Sequence, residues 1–531
     1  MRRLIPGAAL RRRRQGQRRA PALLLASAAI GAALVLLPLA VTVLEATGVA
    51  GSEAVSLLWR PLVGELLLNT IGLVLASVVV TSLVGVTCAW LVERTDLPGR
   101  RLFAVLAAVP LAIPPFITSY AWVSLSSNLQ DFAGALVVVG SAYMPLVYLP
   151  VAAALRGMDP AIEESGRVLG LSPWRCFIRL VLPQLQPALL GGMLLVALNV
   201  LVEFGAFALL RYRTFTTQLY AQYRTGLTGP SSALLATVLI LLCLLCLALE
   251  LKVRGGSTYA SLTRGARRSP SRYHLGWTVL PALLFFVALA IATLGVPLGM
   301  IVFWLTQHNS AATSAAGVSW PLLLQATAGS LSLALAGAAL TLLLALPLGF
   351  LSVRYPGRAA TVLERIAYLG QGVPGIVVAL ALVTLAINLL QPLYQSAPLL
   401  VVAYAILFLP LALVSVRAAF AQAQSRLEDA GRVLGLGPIA VARRIVLPLA
   451  APGLGAAGAL VFVAIVTELT TTLLLSPIGT QTLATQVWAD TTTLAFAAAA
   501  PYAAIMVALS LISTWVLARR FGRSAGIVPV G

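Results

Sequence analysis

Lysine is almost missing from this 531-residue chain: Lys252 is the sole one, and every other basic residue is arginine. A Walker A loop needs lysine directly after glycine, and Lys252 follows Leu251, so the chain has no phosphate-gripping loop of that kind. If ATP drives this protein, another subunit must hydrolyse it. Histidine is limited to His274 and His308, one in a polar linker and one in a loop, so no metal constellation can be assembled around them and no metal site is expected. The four cysteines are Cys88, Cys176, Cys243 and Cys246. Cys243 and Cys246 form a CxxC, but it lies inside the apolar run LILLCLLCLALE with no further ligands, which points to packing rather than redox or metal chemistry. Charge of either sign is scarce, at 10% of residues against about a quarter in soluble domains. No catalytic constellation is visible, and the chain reads as a non-enzyme.

What the chain has instead is apolar length. Sixty per cent of its residues are hydrophobic and the mean hydropathy is +0.97. No soluble core could hide so much apolar surface, which excludes a cytosolic enzyme. Twelve spans of about 20 residues would use roughly 240, well within this inventory. Apolar runs bounded by turn or charge signals fall near 22–46, 66–92, 103–125, 133–155, 187–210, 232–251, 277–305, 327–352, 362–388, 398–419, 453–475 and 495–518. The fold class expected is therefore an all-α polytopic membrane protein with about twelve transmembrane helices.

The charges that remain are asymmetric. The net charge is +20, and eight arginines crowd the first twenty residues. An apolar run follows at once, so this tail (1–20) reads as a cytosolic anchor rather than a nucleic-acid-binding arm. The run from Ala22 to about Val43 is too long for a signal peptide and lacks a clear cleavage site, so it reads as a retained first span. With the N-terminus inside, only Arg60, Arg211, Arg213 and Arg224 fall on the exported side. Both termini are thus expected in the cytosol.

An internal repeat organises the chain. Residues 163–183 (EESGRVLGLSPWRCFIRLVLP) and 428–448 (EDAGRVLGLGPIAVARRIVLP) align without a gap. At the same offset Pro145 matches Pro410, Pro187 matches Pro452, and Glu203 matches Glu468; Glu93-Arg94 also aligns with Val353-Arg354 after a short deletion. Two six-span copies follow: 21–251 (core 66–251) and 276–531 (core 327–519), joined by a polar, basic cytosolic linker, 252–275. An even span count gives both copies the same orientation, hence a pseudo-two-fold axis along the membrane normal with a passage at its centre.

The repeated segment lies on a cytosolic loop. Glu163 and Glu164 suit the N-terminal end of a short helix, Gly170 lets the chain leave it, and Pro173 suits the start of a second helix leading to Leu180, Leu182 and Pro183. Glu428, Asp429, Gly435, Pro438, Ile445, Leu447 and Pro448 repeat the plan. A mere surface hairpin would leave unexplained why so much detail persists in two diverged copies.

This pattern resembles the EAA loop of importer permeases in ABC transporters, E-A-A-x3-G-x9-I-x-L-P. It maps onto Glu164-Ser165-Gly166, Gly170, Leu180, Leu182 and Pro183, and onto Asp429-Ala430-Gly431, Gly435, Ile445, Leu447 and Pro448. Ser165, the two glycines, Leu180 and Asp429 are departures from the pattern, but the spacing is intact. The resemblance implies that each short helix docks a cytosolic ABC ATPase, in two copies, and passes its closure to the spans. It further implies that ATP and Mg reside on that partner, that this chain holds no cofactor, and that an extracytoplasmic substrate-binding protein delivers cargo. A narrower resemblance covers nearly the whole chain: segments 94–122, 214–223 and 467–488 are similar to two-repeat ferric-iron importer permeases. Sulfate, molybdate, thiamine, phosphonate and polyamine importers have related permeases, and Glu203-Phe204-Gly205 resembles the sulfate and molybdate branch.

Two acids, Glu203 and Glu468, sit at equivalent places in apolar spans, where an isolated carboxylate is costly. They either line the passage or serve the structure by bonding backbone and hydroxyl groups such as those of Thr467 and Thr470. The exported loop Leu210–Ser231 could seat the binding protein or rest on headgroups. Tyr120 and Trp122 read as interface anchors. The function expected is a bacterial inner-membrane permease for ferric iron, with no nucleic-acid partner. The rival from another class is an ion-coupled secondary transporter, which would not need matched loops.

Overall fold

A computed structural model of the chain describes residues 20–225, 229–256, 272–307, 319–423 and 425–525. The arginine-rich tail up to residue 19, the middle of the linker and His308 lie outside the described residues. Among the described residues all regular structure is helical, apart from one isolated bridge between Thr95 and Tyr273.

The expected apolar segments all form helices. Ten are long and apolar enough to cross a membrane singly, from Ala22–Ala46 and Pro61–Arg94 in the first half to Trp320–Arg354 and Phe496–Val516 in the second. The third and ninth segments, expected as straight spans over 103–125 and 362–388, are instead broken. Arg100–Ala112 meets Pro115–Leu125 at 95°, and Arg358–Gly372 meets Gly375–Leu389 at 104°. The cause is local. Pro114 and Pro374 supply no amide proton, and each forces the residue before it out of the helical region. Ile113 accordingly has φ −98° and ψ 118°, and Val373 has φ −101° and ψ 115°. Each proline carbonyl then starts the next helix, accepting from Ile117 and Thr118 or from Val377 and Val378.

A second departure concerns the fifth and eleventh segments, expected to run to 210 and 475. The helices Leu182–Val202 and Leu447–Val466 stop short, and the separate short helices Gly205–Leu209 and Thr470–Leu475 follow. Glu203 and Glu468 stand at these breaks rather than inside a continuous span.

The first helix of each copy crosses to the other half. Ala22–Ala46 packs along Trp320–Arg354, Arg358–Leu369 and Gly375–Leu389. Its Gly31 sits so close that a Cβ there would come 3.1 Å from a Leu348 methyl. Gly276–Thr306 lies in turn against Pro115–Leu125 of the first half, and Phe286 stacks on Phe103 with centroids 4.4 Å apart. Within the first half, Gly192 abuts the backbone of Leu146 and Val147, where an added Cβ would lie 2.9 Å from either. In lipid there is no water to expel between apolar helices, so such close backbone contact is what holds them together.

Candidate functional site

Each repeated loop folds as one motif. Asp159 accepts the amide of Ala161 at 3.0 Å and caps the helix Pro160–Val168; the second copy forms Ser425–Val433. Both helices end in a Schellman motif around a left-handed glycine, Gly170 at φ +78° and Gly435 at φ +84°. The amide of Leu171 reaches the Gly166 carbonyl at 3.0 Å, as Leu436 reaches Gly431 at 3.0 Å. The chain then returns through a π-helical turn, Phe177–Val181 or Ala442–Val446, into the next long helix. Pro183 and Pro448 stand in the first turn of that long helix, where an amide proton is not required. Leu180 and Ile445 point back at Gly166 and Gly431: a Cβ on either glycine would sit 2.5 or 2.4 Å from their methyl carbons.

Of the acids at the start of these helices, one in each copy turns inward. Glu163 and Glu428 are buried, whereas Glu164 and Asp429 are exposed. Glu163 pairs with Arg94 at 2.9 Å, and Arg94 also donates to the Leu155 carbonyl at 3.1 Å. Glu428 pairs with Arg354 at 2.6 Å, and Arg354 donates to the Ala423 carbonyl at 2.8 Å. Each arginine ends a long helix, Pro61–Arg94 or Trp320–Arg354, so one guanidinium ties three elements together. Arg94 and Arg354 were not singled out from the sequence as site residues, although the repeat alignment already set them opposite one another. With the acid facing in, the apolar corner faces out: Val168 and Leu169 are 88% and 80% exposed, Val433 and Leu434 87% and 82%.

Glu203 and Glu468 cap the short helices that follow them. Glu203 accepts from the Ala206 amide at 3.0 Å and from the Tyr143 hydroxyl at 2.7 Å, while its carbonyl accepts from Thr216 at 2.6 Å. Glu468 accepts from the amides of Thr471 and Thr472 at 3.0 and 3.1 Å and from the Thr472 hydroxyl at 3.1 Å. The partners expected for a structural role, Thr467 and Thr470, are thus replaced by Thr471 and Thr472. Glu468 also borders a cavity of about 10 Å³, room for about one water, with Ser330, Tyr404 and Thr482.

The residues next to these caps meet across the seam between the halves. A Cβ on Gly205 would come 2.9 Å from Leu469 and 3.0 Å from Phe116. Phe204 lies against Tyr220 and Trp488, with centroids 4.7 and 5.4 Å away, and Tyr220 meets Trp488 edge-on at 6.0 Å. Tyr220 and Trp488 occupy corresponding places, each six residues beyond a threonine capping box, Thr214 with Thr217 and Thr482 with Thr485. Phe204 and Leu469 likewise correspond, each following its acid. The seam is therefore filled by pseudo-symmetric apolar pairs, which sequence reasoning had passed over. Tyr120, expected at an interface, is fully buried and donates to the Phe496 carbonyl at 2.8 Å. All four cysteines are free and buried, in keeping with packing.

Two tandem halves, each with a bent segment and a short loop helix that presents an exposed apolar corner, and meeting along a packed seam, define a permease of the importer class. The chain belongs to the family of binding-protein-dependent transport system inner membrane components, whose pattern matches residues 82–251 and 342–522, once in each half. It is 36% identical over 483 residues to the Fe(3+)-transport system permease protein FbpB 2 of Haemophilus influenzae, covering 91% of this chain and 95% of that protein. The sulfate transport system permease protein CysT of Escherichia coli is 27% identical over 33% of this chain and 68% of its own length. The molybdenum transport system permease protein ModB of Escherichia coli is 28% identical over 27% of this chain and 66% of its own length. The protein is thus a membrane component of a binding-protein-dependent ABC importer, working with an ATPase and a substrate-binding protein.

Proposed function

We propose that this permease imports ferric iron. The observation that carries this reading is the 36% identity that runs through both halves to a permease named for Fe(3+) transport. The similarity to the sulfate and molybdenum permeases is lower and reaches only about a third of this chain, which makes those oxyanions the second reading.

In this reading two ATPase subunits dock one under each half, taking Val168-Leu169 and Val433-Leu434 as apolar keys. ATP and Mg act on those subunits, and both termini of this chain face the same cytosolic side. Closure of the ATPases pushes Pro160–Val168 and Ser425–Val433, and the buried ion pairs carry the push to the ends of the long helices. The seam at Phe204, Tyr220, Leu469 and Trp488 is then the constriction that must part for cargo to pass. Glu203 and Glu468 serve the passage through the short helices they cap, which carry Phe204 and Leu469.

The test is uptake by the chain reconstituted in vesicles with its ATPase and binding protein, offered radiolabelled ferric iron, sulfate or molybdate. ATP-dependent accumulation of iron alone is the expected result. Accumulation of an oxyanion without iron would overturn the iron assignment, and uptake with no ATPase present would overturn the importer mechanism.

A further inference from the structure

The two docking helices are alike in sequence but not in surroundings, and the difference lies in the linker that joins the halves. Residues Arg272–Leu275 return to the end of the first long helix and run beside Thr95. The Tyr273 amide donates to the Arg94 carbonyl at 2.8 Å, and the Asp96 amide donates to the Tyr273 carbonyl at 3.2 Å. The Asp96 carboxylate in turn accepts the Leu275 amide at 3.0 Å and pairs with His274. Held this way, the Tyr273 ring is wedged between Trp90, 5.3 Å between centroids, and Arg167, whose guanidinium carbon is 4.1 Å from the ring centre. Its hydroxyl donates to the second oxygen of Glu163 at 3.3 Å. Tyr273 therefore touches the first docking helix at Glu163 and at Arg167, one turn apart on the same face.

Among the described residues the second copy has no such strap. Arg432, the counterpart of Arg167, pairs with Asp429 at 3.1 Å and Glu428 at 3.7 Å on its own helix, and no ring covers it among the described residues. Trp90 corresponds to Phe350, whose aromatic neighbours are Phe420, 5.4 Å between centroids, and Tyr355 just past the end of the same long helix, 6.2 Å away; neither comes from the linker.

We infer that Tyr273 is a positioning residue that straps the first docking helix to the inter-half linker, so that the two ATPase sites are mechanically unequal: the first is held by Arg94 and by the linker, the second by Arg354 with no linker contact among the described residues. A strapped helix moves with the linker and with the second half's first helix, which continues from it. Push at the first site thereby gains a route through the linker into the other half, in addition to the helix packing that both halves share. This rests on the reading of Pro160–Val168 and Ser425–Val433 as docking helices.

Amide hydrogen exchange on the full complex with ATPase and binding protein tests it, because each helix serves as the other's control. Tyr273→Ala should speed exchange across 160–168 by about fivefold and leave 425–433 unchanged, the loss of one ring–cation contact being of that order. The ATP hydrolysed per substrate imported should rise in the same variant. Tyr273→Phe keeps the ring over Arg167 and should restore most of the protection. Equal exchange changes in both helices, or none in 160–168, overturn the strap, as does a Tyr273→Phe variant as fast as Tyr273→Ala. If the parent complex shows no ATP-dependent import at all, the docking reading fails, whatever the exchange rates.

Discussion

The guanidinium of Arg94 stands 2.9 Å from the carboxylate of Glu163, and both side chains are almost wholly removed from solvent. Arg354 and Glu428 repeat the pair in the second half at 2.6 Å. Removing one member of a buried pair strands the other charge, a loss of about 3–5 kcal/mol, whereas replacing both by apolar groups is often mild. Arg94→Ala and Glu163→Leu should each abolish substrate-stimulated ATP hydrolysis and lower the thermal transition of the purified permease. Arg94→Met combined with Glu163→Leu should be more stable than either single variant. A double variant no more stable than the singles would show that the pair acts through something other than its charges.

The glycines that end the two loop helices, Pro160–Val168 and Ser425–Val433, adopt a backbone conformation closed to branched side chains. Gly170 and Gly435 have φ of +78° and +84°, and neither has a neighbour within 4 Å of an added Cβ. The strain is therefore conformational and not steric crowding, of about 1–3 kcal/mol per site. Gly170→Val and Gly435→Val should tilt the exposed Val168-Leu169 and Val433-Leu434 corners and reduce the ATPase that co-purifies. Gly170→Asn, which tolerates the left-handed region, should retain it. Equal loss in the valine and asparagine variants would assign the effect to side-chain bulk at the interface.

Much of this architecture is legible in the residue order, because hydropathy and repetition report directly on span count and on the two matched loops. Direction is another matter. Apolarity runs unbroken through Ile113-Pro114-Pro115 and Val373-Pro374-Gly375, so the segments read as straight, yet a proline without an amide proton turns each by about a right angle. Lateral packing leaves no periodic trace either, and for that reason the crossing of Ala22–Ala46 onto the second half was invisible. Arg94 and Arg354 read as charges flanking a span, a role any arginine there could fill, and only the loop folded beneath them makes them ion-pair partners. Tyr220 and Trp488 are matched by their capping boxes, but their meeting depends on how the halves are apposed.

The two intramembrane acids should respond differently to loss of charge. Glu203 accepts from the Ala206 amide through one oxygen and from the Tyr143 hydroxyl through the other, and a hydroxyl can turn from donor to acceptor. Glutamine there can accept from the amide and donate to Tyr143. Glu468 has both oxygens 3.0 Å from the Thr471 amide and one of them 3.1 Å from the Thr472 amide, so glutamine must set its NH2 group against an amide donor, two donors facing each other, at about 1–3 kcal/mol. Glu203→Gln should therefore keep uptake near the parent level while Glu468→Gln loses stability and uptake. Equal impairment of the two would point to a shared need for negative charge along the passage.

Asp490 offers a pH test outside the spans. It lies on the helix Leu483–Thr492, and burial pushes its carboxyl up to about 6. The folded chain holds this proton more tightly than the unfolded chain, whose aspartate titrates near about 4. The stability that follows is complete below about pH 4 and is lost as the pH rises through about 6, when a charge must form in a partly desolvated site. Asp490→Asn has no charge to acquire. Its thermal transition should exceed the parent's most at about pH 8, by roughly half as much at about pH 5, and approach it below about pH 4, because the parent's penalty builds up as the pH rises from about 4 to about 6. A gap between the two proteins that does not widen with pH would mean that Asp490 ionises there without cost, and that the helix carrying Trp488 is open to water on that face.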